Sequence, residues 1–194
     1  HISNPEYMRS IDDAGGITLC GATMAIATGY WAIDFLRPTV LGFAACNMVY
    51  QSGRTHFYGN GSADPLREDV TLRSLEAKVC RLFLFALSRG TLCVNTMPVE
   101  GSRLILPTLL LDELPTSRLN LWRLHRKVMR SPSCKELLNF YVEQRAYEQR
   151  APFSVLAHEY WIGKTDEDIA FIDAVDAKWD EARHLVRDFL SRMT

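Results

Sequence analysis

The sequence lacks the features that would assign it quickly to several large protein classes. No apolar run approaches the roughly 20 residues of a membrane span, and no secretion signal is evident. There is also no P-loop, no G-x-G-x-x-G fingerprint and no G-x-S-x-G nucleophile elbow. These absences disfavour membrane-spanning proteins, P-loop NTPases and hydrolase triads, and they predict a cytoplasmic protein.

Charge and cysteine content exclude further classes. The formal net charge of -1 and the pI near 6.6 give no overall attraction to nucleic acid or to an anionic membrane. The five cysteines lie far apart without a C-x-x-C pair, so we interpret them as reduced, mostly buried thiols. Because a structural zinc site needs about four closely spaced ligands, we predict no metal site. Because the net charge is close to zero, we also predict no nucleic-acid partner.

The residues that are present suffice for a packed core. The chain has 194 residues, of which 47% are hydrophobic, as expected for one large domain or one domain with an appendage. It starts at His1 and reaches a regular element early, which leads us to expect that an N-terminal portion is missing.

The first half of the chain predicts alternating helices and strands. A helical period of apolar residues begins at Ile17, directly after Gly15 and Gly16, and stops at Pro38. The two glycines could let a ligand approach a helix N-terminus, or they could form an ordinary turn. Residues 39–45 then form a short apolar run typical of a buried strand.

A second helix and strand follow in the order of a βαβ unit. Thr71 is a plausible cap for a helix that ends near Ser88, and residues 91–95 form the next strand. We therefore predict an α/β fold with a right-handed βαβ unit in a partial, Rossmann-like parallel sheet over residues 1–114.

The last part of the chain predicts helices without strands, so we assign residues 115–194 to a helical C-terminal region. Residues 115–150 hold eight Lys or Arg against three Glu, whereas residues 164–194 hold eight Asp or Glu against five Lys or Arg. Helices of opposite charge could pack on each other or on another subunit, which would make a homo-oligomer, although solvated faces explain most such runs.

A polar loop at residues 53–61 is the most informative stretch. His56 follows the first predicted strand in a segment too polar and glycine-rich for the core, and an imidazole can remove a proton near neutral pH. Tyr50, Tyr58 and Arg54 could hold a departing phosphate. The alternatives are that His56 is a surface residue or only stabilises the loop, and that Tyr58 covers the core.

Further polar residues follow both strands. Asn47 suits the recognition of a sugar hydroxyl, or could form an Asn turn. After the second strand, Asn95, Ser102 and Arg103 occupy the equivalent place, and ligand loops of a parallel sheet lie side by side. We predict these four residues to be binding residues, the last three with an ordinary strand-to-helix turn as the alternative.

Residues 15–103 resemble the C-terminal half of the bacterial sialyltransferases typified by Campylobacter lipooligosaccharide enzymes. The similar features are Gly15 and Gly16 before a helix, the strand around Gly42, Tyr50, and His56-Phe57-Tyr58-Gly59. The resemblance implies a metal-independent glycosyltransferase with His56 as general base and Tyr50 as phosphate ligand. Its partners would be a nucleotide-sugar donor, plausibly CMP-linked, and a glycan acceptor; the donor is a substrate, so no cofactor is expected.

The same stretch is also similar to archaeal pterin diphosphokinases and to flagellin-glycosylating motility factors, through residues 53–56. That resemblance implies pyrophosphoryl transfer with Mg²⁺ as an alternative reaction. A third hypothesis is a non-catalytic interaction module whose charged helices bind a partner.

Overall fold

A computed structural model describes the chain over residues 4–21, 23–50, 74–112, 118–151 and 165–192. In chain order these contain helices α1 to α3, strand β1, helix α4, strand β2 and helices α5 to α7. Their bounds are α1 Pro5–Asp13, α2 Ile17–Cys20, α3 Met24–Trp31, β1 Val40–Phe43, α4 Leu75–Ser88, β2 Leu92–Asn95, α5 Arg118–Met129, α6 Pro132–Glu148 and α7 Asp166–Ser191. A π-helical turn, Ala32–Leu36, continues α3.

Strands β1 and β2 form a two-stranded parallel sheet that α4 connects. Val40 pairs with Leu92 and Phe43 with Asn95, and the Thr96 amide extends the ladder by donating to the Phe43 carbonyl. The predicted mixed α/β class and the parallel pairing are therefore confirmed. Both strands end at the same edge of the sheet, which places the residues that follow them close together.

Helix α4 lies in the centre of the packing. Its apolar side chains, including Leu75, Val79 and Phe83, are buried. The helix is also buried on its other faces, because α3 and β2 pack on it together with α6 and α7. Two charged side chains, Lys78 and Arg81, are consequently buried, although their charge alone would predict exposure.

The C-terminal helices share this core. Trp179 and Phe189 of α7 are almost fully buried, and the Phe189 ring lies 6.0 Å from the ring of Phe83 in α4. Helix α6 packs on both α4 and α7. Helices from the predicted C-terminal region thus complete the core around the βαβ unit.

The segment after Ile17 differs from the single helix that its period predicts. Gly21 has φ +101°, a left-handed conformation that ends α2, and the Thr23 hydroxyl then caps α3 by accepting from the Ile26 amide. The break changes which face is buried. Met24 and Phe35 are about half exposed, whereas Ala27 is buried.

None of the described helices is both long and apolar enough to cross a bilayer.

Candidate functional site

Two asparagines meet at the carboxyl edge of the strand pair. Asn95 ends β2, Asn47 lies in the loop after β1, and both are more than nine-tenths buried. The Asn95 Nδ2 donates to the Asn47 Oδ1 at 3.0 Å. The structure thus brings these two predicted residues together, as the parallel pairing implies.

Ser102 completes this group, which we call the amide cluster (Asn47, Asn95 and Ser102). Its hydroxyl donates to the Asn47 Oδ1 at 2.7 Å, so that oxygen accepts two hydrogen bonds. The Asn47 Nδ2 in turn donates to the Met97 carbonyl at 2.8 Å. The cluster therefore fixes the loop after β1 to the loop after β2.

Arg103 lies beside the amide cluster and is also buried. Its backbone amide donates to the Asn47 carbonyl at 3.0 Å, and its Nε lies 3.1 Å from the Oε1 of Glu76 in the first turn of α4. The guanidinium charge is thereby compensated by a carboxylate at the start of α4. Arg103 joins both strand-end loops to this helix.

The loop after β1 carries backbone strain that the sequence does not signal. Ala45 and Met48 have φ values of +56° and +54°, a left-handed conformation that residues with a Cβ rarely adopt. Such residues persist only where surrounding contacts hold them, and they are frequent at binding sites. Here the contacts come from Asn47, which lies between the two strained residues.

A groove of about 390 Å³ lies next to this loop, between α3 and β1. Its walls are mainly apolar, and the residues that line it include Met24, Thr28, Gly42, Phe43 and Cys46. A volume of this size lies in the range of small-molecule sites. The groove provides an apolar surface beside the polar amide cluster.

Gly15 and Gly16 do not join this group. They have φ values of +117° and +81°, and their amides donate to carbonyls of α1. A Cβ on Gly15 would clash with a guanidinium nitrogen of Arg145 and with one of Arg81. Gly15 thus leaves room for two arginines of the protein itself, and α2, with four residues, is too short to provide a helix-terminal anion site.

Four predicted residues belong to the segment that follows Asn47. Tyr50 is half-buried and is the last described residue before residues 51–73. Arg54, His56 and Tyr58 lie outside the described residues, so their predicted roles stay predictions.

A second polar group, the ion-pair cluster (Lys78, Arg81, Glu148 and Asp176), lies between α4, α6 and α7. Arg81 donates from Nε and Nη2 to the two carboxylate oxygens of Glu148 at 2.6 and 2.8 Å. The Trp179 indole donates to the same carboxylate at 2.7 Å, and Arg145 pairs with it from one turn earlier in α6. In the other pair, the Lys78 ammonium lies 2.8 Å from the Asp176 Oδ1.

The surroundings of Arg81 satisfy its remaining donors. Its Nη1 donates to the Tyr30 hydroxyl at 2.8 Å and to the Cys20 Sγ at 3.2 Å, and its Nη2 donates to the Ala14 carbonyl at 2.6 Å. Burial alone raises the pKa of Glu148, but the charges of Arg81 and Arg145 and the hydrogen bonds from Arg81 and Trp179 together outweigh it and hold that pKa below its ordinary value. Burial raises the pKa of Asp176, and Lys78 offsets this only in part.

Sequence reasoning missed the ion-pair cluster. The available signal was a pair of cations one turn apart, Lys78 and Arg81, within a mainly apolar helix. The cluster faces neighbouring helices, and its charges are compensated within the core. We interpret it as a structural connection of α4 to α6 and α7.

The cysteines are buried thiols, as predicted. Cys20, Cys80, Cys93 and Cys134 are buried, and Cys46 is half-buried at the groove. Burial raises the pKa of the Cys80 thiol to about 12 and also raises that of Cys46. These thiols are therefore protonated at neutral pH and are weak nucleophiles. No cluster of metal-ligand side chains occurs within the described part of the chain.

Comparison with known proteins adds no relative. No protein-family model, curated protein or solved structure matches this sequence. The functional assignment rests on the strand-edge geometry and on the sequence.

Proposed function

We propose that this chain is a glycosyltransferase-like domain that binds a nucleotide-activated sugar at the carboxyl edge of β1 and β2. The amide cluster carries the proposal: Asn47, Asn95 and Ser102 join the two strand-end loops where open α/β sheets hold their ligands. The strained backbone at Ala45 and Met48 and the adjacent groove support the same location. A Rossmann-like sheet is part of this proposal.

The proposed reaction uses residues that follow Asn47 in the sequence. His56 takes the proton of the acceptor hydroxyl, and the resulting oxygen nucleophile attacks the anomeric carbon of the sugar. The bond between that carbon and the phosphate oxygen breaks, and the nucleotide leaves with the bonding electrons. Tyr50 and Arg54 stabilise the negative charge on the departing phosphate, and the groove next to β1 receives the base.

Ligand-dependent thermal unfolding tests the binding step. CMP, CDP, GDP and ATP are titrated with and without Mg²⁺, and a nucleotide at 100 times its Kd is expected to stabilise the fold by about 2.7 kcal/mol. Stabilisation by a cytidine nucleotide without Mg²⁺ supports the proposal. A response that requires Mg²⁺ would favour pyrophosphoryl transfer, and no response to any nucleotide would favour an interaction module.

A histidine variant tests the assignment of the base. His56→Ala should lower sugar transfer by about 10²–10⁴-fold while leaving nucleotide binding intact, because the imidazole acts on the acceptor. The matched control is His184→Ala, which removes an exposed histidine of α7. Equal transfer rates in the two variants would refute the role of His56.

A further inference from the structure

Helix α5 carries exposed cations and exposed apolar side chains on one face. Arg123, Arg126 and Lys127 are exposed, and Leu119 and Trp122 are 52% and 48% exposed. Residues 118–130 contain no Asp or Glu. This face of α5, which we call the basic surface (Leu119, Trp122, Arg123, Arg126 and Lys127), is both apolar and strongly cationic.

The basic surface lies at the amino end of the strand pair, away from the candidate site. His125 hydrogen-bonds from its ring Nε2 to the carbonyl of Gly90, which precedes β2. Thr39, which precedes β1, lines a groove together with Leu119 and Trp122. Since parallel strands start at one edge and end at the other, the amide cluster lies at the opposite edge.

Residues that precede the two strands add further exposed cations and a further exposed apolar side chain near the basic surface. Leu36 is 59% exposed, and Arg37 and Arg89 are exposed beside the strand starts. The carboxylate of Asp34 accepts from the Ser10 hydroxyl and lies 3.8 Å from Arg89. The surface charge at this edge is therefore predominantly positive.

We propose that the basic surface binds the interface of an anionic lipid bilayer. Cations on a helix attract anionic headgroups, while leucine and tryptophan side chains enter the boundary with the acyl chains. A nucleic acid would bind the cations but would leave the exposed leucines in water. The Arg126 guanidinium also lies 4.9 Å from the Trp122 ring centroid, where it covers one face of the indole that a base would need.

This binding mode positions the candidate site relative to the membrane. With α5 at the bilayer, the carboxyl edge of β1 and β2 lies at the far end of the strand pair and stays open to water. The proposal is independent of the proposed chemistry, because it requires only the basic surface.

Vesicle flotation with the whole chain tests the proposal. Vesicles of phosphatidylcholine mixed with phosphatidylglycerol are compared with vesicles of phosphatidylcholine alone, at low and high salt. Since each cation near an anionic surface contributes roughly fivefold to partitioning, Arg123→Gln, Arg126→Gln and Lys127→Gln together should weaken binding about 100-fold. The matched control, with the same change in net charge, replaces the exposed Arg9, Arg187 and Arg192 by Gln.

Tryptophan fluorescence tests the apolar half of the proposal. The wild type should shift to shorter wavelength on anionic vesicles, and Trp122→Phe should lose most of this shift. Leu119→Ala should weaken vesicle binding roughly fivefold, since it loses more than one buried methylene, whereas Leu185→Ala, in an exposed leucine of α7, should not. Circular dichroism establishes that each variant is folded.

The outcomes of these experiments distinguish an anionic lipid bilayer from a nucleic acid as the partner. Binding that requires anionic lipid, falls with salt and depends on the basic surface supports the proposal. Equal binding to neutral vesicles, or equal loss in the control triple variant, overturns it. Binding of duplex DNA or RNA without vesicle binding also overturns it and assigns the surface to nucleic acid.

Discussion

The amide cluster and the ion-pair cluster are both buried polar groups, and they are built differently. The amide cluster at the strand edge consists of uncharged side chains that bond to one another and to loop backbone. The ion-pair cluster consists of full charges that pair across α4, α6 and α7. One group holds loops in place, and the other holds helices together.

The difference follows from the cost of burial. A buried amide costs about 1–3 kcal/mol when a partner is lost, whereas a buried charge without a counter-charge costs more. Charges therefore suit the inside of a core whose helices do not move apart. The uncharged hydrogen bonds of the amide cluster hold the two strand-end loops together without burying a charge. The comparison thus predicts that the loss of a partner costs more stability in the ion-pair cluster than in the amide cluster.

Glu148→Gln should have the largest effect. It leaves the Arg81 guanidinium buried without its counter-charge, so we expect the free energy of unfolding in urea to fall by about 3–5 kcal/mol. Glu143→Gln, at an exposed position of the same helix, should change it by less than about 0.5 kcal/mol. Similar losses in the two variants would mean that the ion pair does not hold the helices together.

The double variant Arg81→Met with Glu148→Leu sharpens this test. Removing both charges should cost less than the sum of the two single variants by about 2 kcal/mol, because neither charge is then left alone. Strictly additive losses would contradict the pairing.

Asn47→Ala should have a smaller effect at the strand edge. It removes the acceptor of Asn95 and Ser102 and the donor to the Met97 carbonyl, so a loss of about 1–3 kcal/mol is expected in the same unfolding measurement. The control, Asn139→Ala at an exposed position of α6, should be near neutral. A loss as large as that of Glu148→Gln would remove the distinction between the two clusters.

The sequence predicts the parts of this fold whose signals are local. The helix predicted to end near Ser88 and the strand predicted at residues 91–95 agree closely with the observed end of α4 and with β2. The parallel order then implies that Asn47 and Asn95 meet, which they do. A site residue can be predicted in this way when its position follows from the topology of the sheet.

Other features depend on contacts that no local pattern encodes. The burial of Arg81 requires Glu148, which lies in the C-terminal helices, far from α4 in the sequence. The left-handed backbone of Ala45 and Met48 has no compositional signal, because neither residue favours it. The break at Gly21 is ambiguous, since a single glycine is tolerated within helices. Tertiary contacts decide each of these cases.

The pH dependence of stability should show the smallest difference between the clusters. The raised pKa of Asp176 means that its ionisation costs stability as pH rises above the ordinary aspartate value of about 3.9. Glu148, whose pKa is lowered, instead loses its stabilising effect as pH falls below about 4.3.

Asp176→Asn removes only the pH dependence that comes from Asp176, so the stability of this variant relative to the wild type should rise with pH above about 3.9. Asn47→Ala removes no titratable group, so it should differ from the wild type by an amount that does not change with pH. Unfolding curves measured between pH 4 and 7 give these differences directly, because the other titrating groups cancel. A constant difference for Asp176→Asn would mean that burial does not disfavour the charged carboxylate, and the contrast with the amide cluster would then rest on the Arg81–Glu148 pair.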